Sequence, residues 1–130
     1  MLKHQRLLRS IGQMALAMGL ALAFLPASAA DFPAGTYAVD GAKPTLTFDD
    51  KSQFRVEEGG KTMVAGKYTT KGDQVEFTDQ KGPWACTKNG QKTGTYQWKY
   101  DSSVLTLIKV TDACTDRVGS LSGVKWKATH

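Results

Sequence analysis

The chain has 130 residues, with 17 Lys and Arg against 12 Asp and Glu, two cysteines and two histidines. Three of the bases, Lys3, Arg6 and Arg9, fall in the first ten positions, and without them the balance is 14 against 12, or +2. The remaining bases are spread through turns and outer strand faces, so the charge excludes a nucleic-acid footprint, and nucleic acid is not expected as a partner.

Residues 1–29 have the make-up of a secretory signal peptide. A basic start is followed by a mostly apolar run from Ile11 to Leu25, and then by the small residues of Pro26-Ala27-Ser28-Ala29. Cleavage is expected near Ala29 or Ala30, which would place the mature protein in the periplasm or outside the cell. The apolar run is too short and wrongly flanked for a stop-transfer helix. No cysteine stands at the cleavage site to carry a lipid, so no stable membrane anchor is expected. Residues 30–130 are expected to form one domain.

From Tyr37 onward, apolar and polar residues alternate in short runs separated by Gly, Asp and Lys turns, the pattern of half-buried strands. Strands are predicted over Thr36–Val39, Thr45–Phe48 and Gln53–Glu57, with Tyr37, Val39, Leu46, Phe48, Phe54 and Val56 facing inward. Glu58-Gly59-Gly60-Lys61 turns the chain into Thr62–Thr69, where Gly66 marks a bend or a close backbone approach. Lys71-Gly72-Asp73 is a hairpin signal leading to Gln74–Thr78. The rhythm then breaks. Gln80 to Gly94 is rich in Gly and Lys, and Trp84–Lys88 is read as an irregular strand returning through Asn89-Gly90. Thr95–Tyr100 follows, with Tyr96, Trp98 and Tyr100 on one face, and then Val104–Val110. Asp112 to Leu121 departs from the two-residue period and is read as a short helical turn capped by Thr111 or Asp112. Val124–Ala128 closes the pattern with Trp126 inward.

Eight regularly spaced strands joined by short turns predict sequential antiparallel neighbours. The fold class is therefore all-β: a small eight-stranded antiparallel up-and-down barrel with one short helical turn before the last strand. Closure hides edge strands, and eight strands leave room for their own side chains or one small ligand. A Greek-key sandwich is the competing fold. Cys86 and Cys114, 28 positions apart, are expected to form a disulfide, the simplest state for two cysteines in a small exported domain.

Gly35-Thr36-Tyr37 at the first strand, the meander after it, and Arg117 just before the last strand resemble the lipocalin-like (calycin) barrels over the whole mature chain. Lipocalins carry Gly-x-Trp at the first strand and a late basic residue packed over that ring. Tyr37 stands where the Trp would be, and the resemblance implies that Arg117 covers it through a cation–π contact. It also implies carriage of a ligand in the barrel.

Candidate ligand-binding residues are Tyr96, Trp98 and Tyr100, which would either line an apolar pocket or fill the core. Trp84, after Gly82-Pro83, would be a lid or anchor at the barrel mouth, or would pack over the disulfide. Asp112 to Arg117 could make a weak calcium site or an anion clamp at Arg117; read structurally, Asp112 caps the turn, Asp116 pairs with a base and Arg117 covers a barrel end. Two carboxylates fall short of a calcium ligand set, and no metal or cofactor is expected. The histidines are His4 and His130, and no nucleophile arrangement or phosphate loop is present, so catalysis is not expected. The expected function is an exported, non-enzymatic, monomeric barrel binding a small apolar or amphipathic ligand. The alternative is a module that binds an envelope or secreted protein, such as a periplasmic inhibitor of a secreted hydrolase.

Overall fold

The computed structural model describes residues 31–39 and 44–129. The expected signal peptide and cleavage site lie outside the described residues. Eight strands close into an antiparallel barrel in sequential order. They are β1 (Gly35–Ala38), β2 (Thr45–Phe48), β3 (Gln53–Glu58), β4 (Lys61–Lys71), β5 (Gln74–Lys81), β6 (Thr93–Asp101), β7 (Val104–Asp112) and β8 (Lys125–Ala128), with one helix, α1 (Thr115–Leu121), before β8. The last strand pairs with the first through Tyr37↔Ala128 and Ala38↔Lys127, which completes the ring. The predicted fold class holds, and the sandwich does not form. No helix among the described residues is long and apolar enough to cross a membrane.

The alternation works as anticipated because each inward residue meets an inward residue across the ladder. Leu46 opposes Val56, Phe48 opposes Phe54, and Leu105 opposes Trp126. Two-residue turns at Gly59-Gly60, Gly72-Asp73 and Ser102-Ser103 fix the register of three hairpins, closed by Glu58↔Lys61, Lys71↔Gln74 and Asp101↔Val104. Gly66 sits beside a register shift in β4, and a Cβ there would run into the Thr78 carbonyl and the Phe54 ring. The close approach expected of this glycine is real.

The two ends of the barrel differ. At one end are the β2–β3, β4–β5 and β6–β7 turns and the chain entry. Here Phe32 packs on Phe48, Tyr68 and Trp98 with ring centroids 4.8, 5.4 and 5.4 Å away. Tyr37 donates to the Pro33 carbonyl, and Tyr68 donates to the Asp49 carbonyl at 2.6 Å. This end is an aromatic plug. At the other end are the β3–β4 turn, the long β5–β6 loop and the β7–β8 connection with α1.

Two expectations need correction. Trp84–Lys88 is not a strand but part of the β5–β6 loop. Trp84 N–H donates to the Met63 carbonyl at 2.9 Å and Cys86 N–H to Asp79 Oδ2 at 2.8 Å, isolated tethers in place of a ladder. The Tyr96/Trp98/Tyr100 face is also not uniformly interior. Tyr96 is fully buried and Trp98 half-buried, while Tyr100 is 42% exposed. The strand runs out over the plugged end, so successive residues on one face climb from core to rim. Tyr100 leans edge-on against Tyr37 there, with centroids 6.4 Å apart.

A candidate binding cavity at the helix-bearing end

The β7–β8 connection is held across the barrel end at both of its own ends. Cys114 is bonded to Cys86 of the β5–β6 loop, with Cα atoms 6.3 Å apart, so the expected disulfide joins the two segments that cover this end. Cys114 is also the N-cap of α1, its Sγ accepting from the Arg117 N–H at 3.3 Å. The cap is therefore Cys114 and not Thr111 or Asp112 as expected; Asp112, two positions ahead of it, accepts from the Cys114 N–H at 2.9 Å. After the helix, Gly123 N–H donates to the Leu107 carbonyl, and Ser122 Oγ accepts from the Lys109 N–H at 3.1 Å. The segment following α1 thus takes up part of the edge of β7 that the short β8 leaves uncovered.

Pinned this way, α1 carries Arg117 into the barrel end, where it is 7% exposed. Every N–H of the guanidinium is matched. Nε and one Nη donate to the two Asp112 oxygens, each at 2.7 Å. The remaining partners are the Gln91 carbonyl at 2.8 Å, the Lys92 carbonyl at 3.3 Å and Asp79 Oδ2 at 3.0 Å. Tyr96 donates its hydroxyl to Asp112 Oδ2 from the core side. Gly94 makes the approach possible, since a Cβ at that position would collide with the Asp112 carboxylate.

Burial acts against all the charges in this group, and the hydrogen bonds decide each outcome. Burial pushes the Asp112 carboxyl up, but donors from Arg117, Tyr96 and Cys114 outweigh it and hold the group below the usual carboxylate range. For Asp79 burial prevails: the Cys86 N–H, at 2.8 Å from Oδ2, and Arg117 offset it only in part, and the carboxyl stays raised. Burial, the bond to Asp112 and that carboxylate's charge push the Tyr96 hydroxyl well above its ordinary value. For Arg117 the pairing with Asp112 and Asp79 overcomes burial and strengthens its hold on the proton.

Beside this cluster lies a partly open cavity of about 670 Å³. Its walls are mainly apolar, from Leu46, Phe54, Val64, Phe77, Leu121 and Trp126, and Asp79 and Arg117 supply a polar side. Pro83 and Trp84 of the β5–β6 loop and Asp116 and Ser120 of α1 also line it. Trp84 is 47% exposed, so its ring presents one part to solvent and another to the cavity.

The sequence-based site residues therefore separate. Trp84 and Arg117 are brought together at the cavity. Tyr96 lies in the core behind it, with its hydroxyl on Asp112. Trp98 belongs to the opposite end, its Nε1 donating to the Gly72 carbonyl at 3.2 Å, and Tyr100 lies on that rim. Arg117 does not cover Tyr37 as the resemblance implied. The two residues face opposite barrel ends, and Arg117 is held by carboxylates and carbonyls. Asp116 is exposed at the cavity and makes no ion pair among the described residues, so the base anticipated for it is absent. Two functional candidates were missed by sequence reasoning, Asp79 and Trp126. The signal for Asp79 was available: it continues the parity of Val75 and Phe77 and puts a carboxylate on an inward face.

The barrel has the architecture that the lipocalin-like resemblance implies. Comparison with protein-family models, with curated proteins and with solved structures finds no match.

Proposed function

We propose that this chain is an exported, non-catalytic, lipocalin-like barrel that binds a small apolar or amphipathic ligand at its helix-bearing end. The observation that carries this reading is the cavity. At about 670 Å³ it falls in the size range of small-molecule sites, and it combines apolar walls with a few convergent polar groups, the usual make-up of such sites. The disulfide and the tethers of α1 keep the walls in place before a ligand arrives, which lowers the ordering cost of binding. A non-catalytic role is supported by the use of Arg117, Asp112 and Tyr96 on one another, which leaves them no free group for chemistry.

Tryptophan fluorescence provides the test, because Trp84 and Trp126 line the cavity and Trp98 does not. Titration with ten-carbon alkanols and amphiphiles should shift the emission. The shift should survive Trp98→Phe and shrink in Trp84→Phe. Leu121→Trp, which fills the cavity, should abolish it while the barrel still melts cooperatively. If no compound shifts the emission, or Leu121→Trp binds as well as the parent, the ligand reading is wrong.

A second reading, docking of an envelope or secreted protein, draws on the exposure of Trp84 beside Pro83 at the same end. Recovery of one partner from a periplasmic extract by the parent, and its loss with Trp84→Ala, would favour docking over small-ligand carriage.

A further inference from the structure

We infer that the cavity selects ligands by their headgroup, taking an apolar molecule that carries a protonated amine and rejecting one that carries a carboxylate. The inference rests on the ligand-binding reading above and deepens it.

Three observations point the same way. First, the one guanidinium that lines the cavity among the described residues, Arg117, has nothing to give an anion. All five N–H donors of Arg117 are already taken by Asp112, Asp79 and the Gln91 and Lys92 carbonyls. An incoming carboxylate would have to displace a buried partner to reach it. Second, among the described residues the charged groups lining the cavity are Asp79 and Asp116 against Arg117, so carboxylates outnumber cations there, and Asp112 stands behind them. Among the described residues no lysine lines the cavity.

Third, an acceptor is left over. Asp79 is only 5% exposed, and it lines the cavity. Its Oδ2 serves Arg117 and the Cys86 N–H, whereas Oδ1 is buried with no hydrogen-bond partner. A buried carboxylate oxygen without a donor is costly, and a ligand N–H would remove that cost. The Trp126 Nε1–H, on the other strand wall of the same cavity, is also buried and unpartnered. It is a neutral donor, suited to an ether, carbonyl or hydroxyl oxygen along the ligand body. An alkanol can donate one hydrogen bond to Asp79 but brings no charge, so it should rank between amine and carboxylate.

Isothermal titration calorimetry of the disulfide-bonded protein at pH 7 with three ligands of equal chain length, decylammonium, decanol and decanoate, tests this below their aggregation concentrations. Decylammonium is expected to bind at least tenfold tighter than decanoate, with decanol between them. Asp79→Asn should remove most of the ammonium advantage while leaving decanol within about threefold of the parent. Asp116→Asn, at an exposed position of α1, provides a second variant with little risk to folding, and should reduce the ammonium advantage, read as the ratio of decylammonium to decanol affinity, by a smaller factor. Decanoate binding as tightly as decylammonium would overturn the headgroup inference and leave the cavity reading standing. An unchanged preference in a folded Asp79→Asn protein would overturn the role of Asp79. Failure of all three ligands to bind would remove the cavity reading itself, and the inference with it.

Discussion

Arg117 is surrounded so completely that its replacement should be felt mainly through the groups it leaves behind. Arg117→Ala strands Asp112 and Asp79 in the barrel end without a cation, and breaking a buried ion pair from one side costs about 3–5 kcal/mol. Denaturant unfolding should show that loss. Arg117→Lys should recover only part of it, because an ammonium cannot spread five donors in a fork. The two carboxylates also leave opposite marks on stability against pH. Asp112 is held below its ordinary value, so it contributes stability above about pH 4 that is lost as pH falls through the depressed folded value. Asp79 is raised, so its contribution is present below about pH 4 and is lost as pH rises through the raised folded value. In melting curves across acid pH, Asp79→Asn should remove the decline on the neutral side, and Asp112→Asn the decline on the acid side. If both variants followed the parent profile, neither carboxyl would be perturbed as described.

At the level of elements, the disulfide joins the two segments that cover the helix-bearing end, neither of which is held there by a strand ladder of its own. The β5–β6 loop is held by the Trp84–Met63 bond, by Cys86 and by Arg117 on the Gln91 and Lys92 carbonyls, and α1 is too short to be stable on its own. Reduction, or Cys86→Ser with Cys114→Ser, should lower the unfolding free energy by about 3 kcal/mol on the loop-entropy view. The loss should come with a red shift of Trp84 emission as the loop leaves the cavity wall. Unchanged melting under strong reductant would remove this role. The strands themselves were legible in the sequence because each ladder partner repeats the same alternation, so an error in one strand would have thrown the next out of phase. Trp84–Lys88 escaped this logic. It has strand-like residues but no partner, since β5 pairs directly with β6. Trp98 and Tyr100 escaped for a different reason: alternation gives a face, whereas depth along the barrel depends on strand tilt and on the register shift at Thr95/Tyr96. Asp79 went unread because attention to apolar residues on the inward face passes over a carboxylate of the same parity.

The whole molecule is polarised between a filled end and a hollow one, and both were implicit in the amount of aromatic bulk but not in its distribution. Phe32 is the residue that finishes the filled end, just ahead of the first strand. Phe32→Ala should cost about 2 kcal/mol from lost half-buried apolar area and edge-on ring contacts. It should also move Trp98 emission to the red while ligand-induced shifts of Trp84 persist, and coupled changes at the two tryptophans would argue against independent ends. The ring of strands closes through β1 and β8, and this sets a rule for any protein that meets this one. A sheet with free margins can recruit a partner by lending it backbone hydrogen bonds, and such recruitment is tolerant of sequence. Here every strand of the barrel already has a hydrogen-bonded neighbour on each side. Recognition then falls to side chains, on the loops and the outer strand faces, and closure disfavours chance assembly by strand exchange.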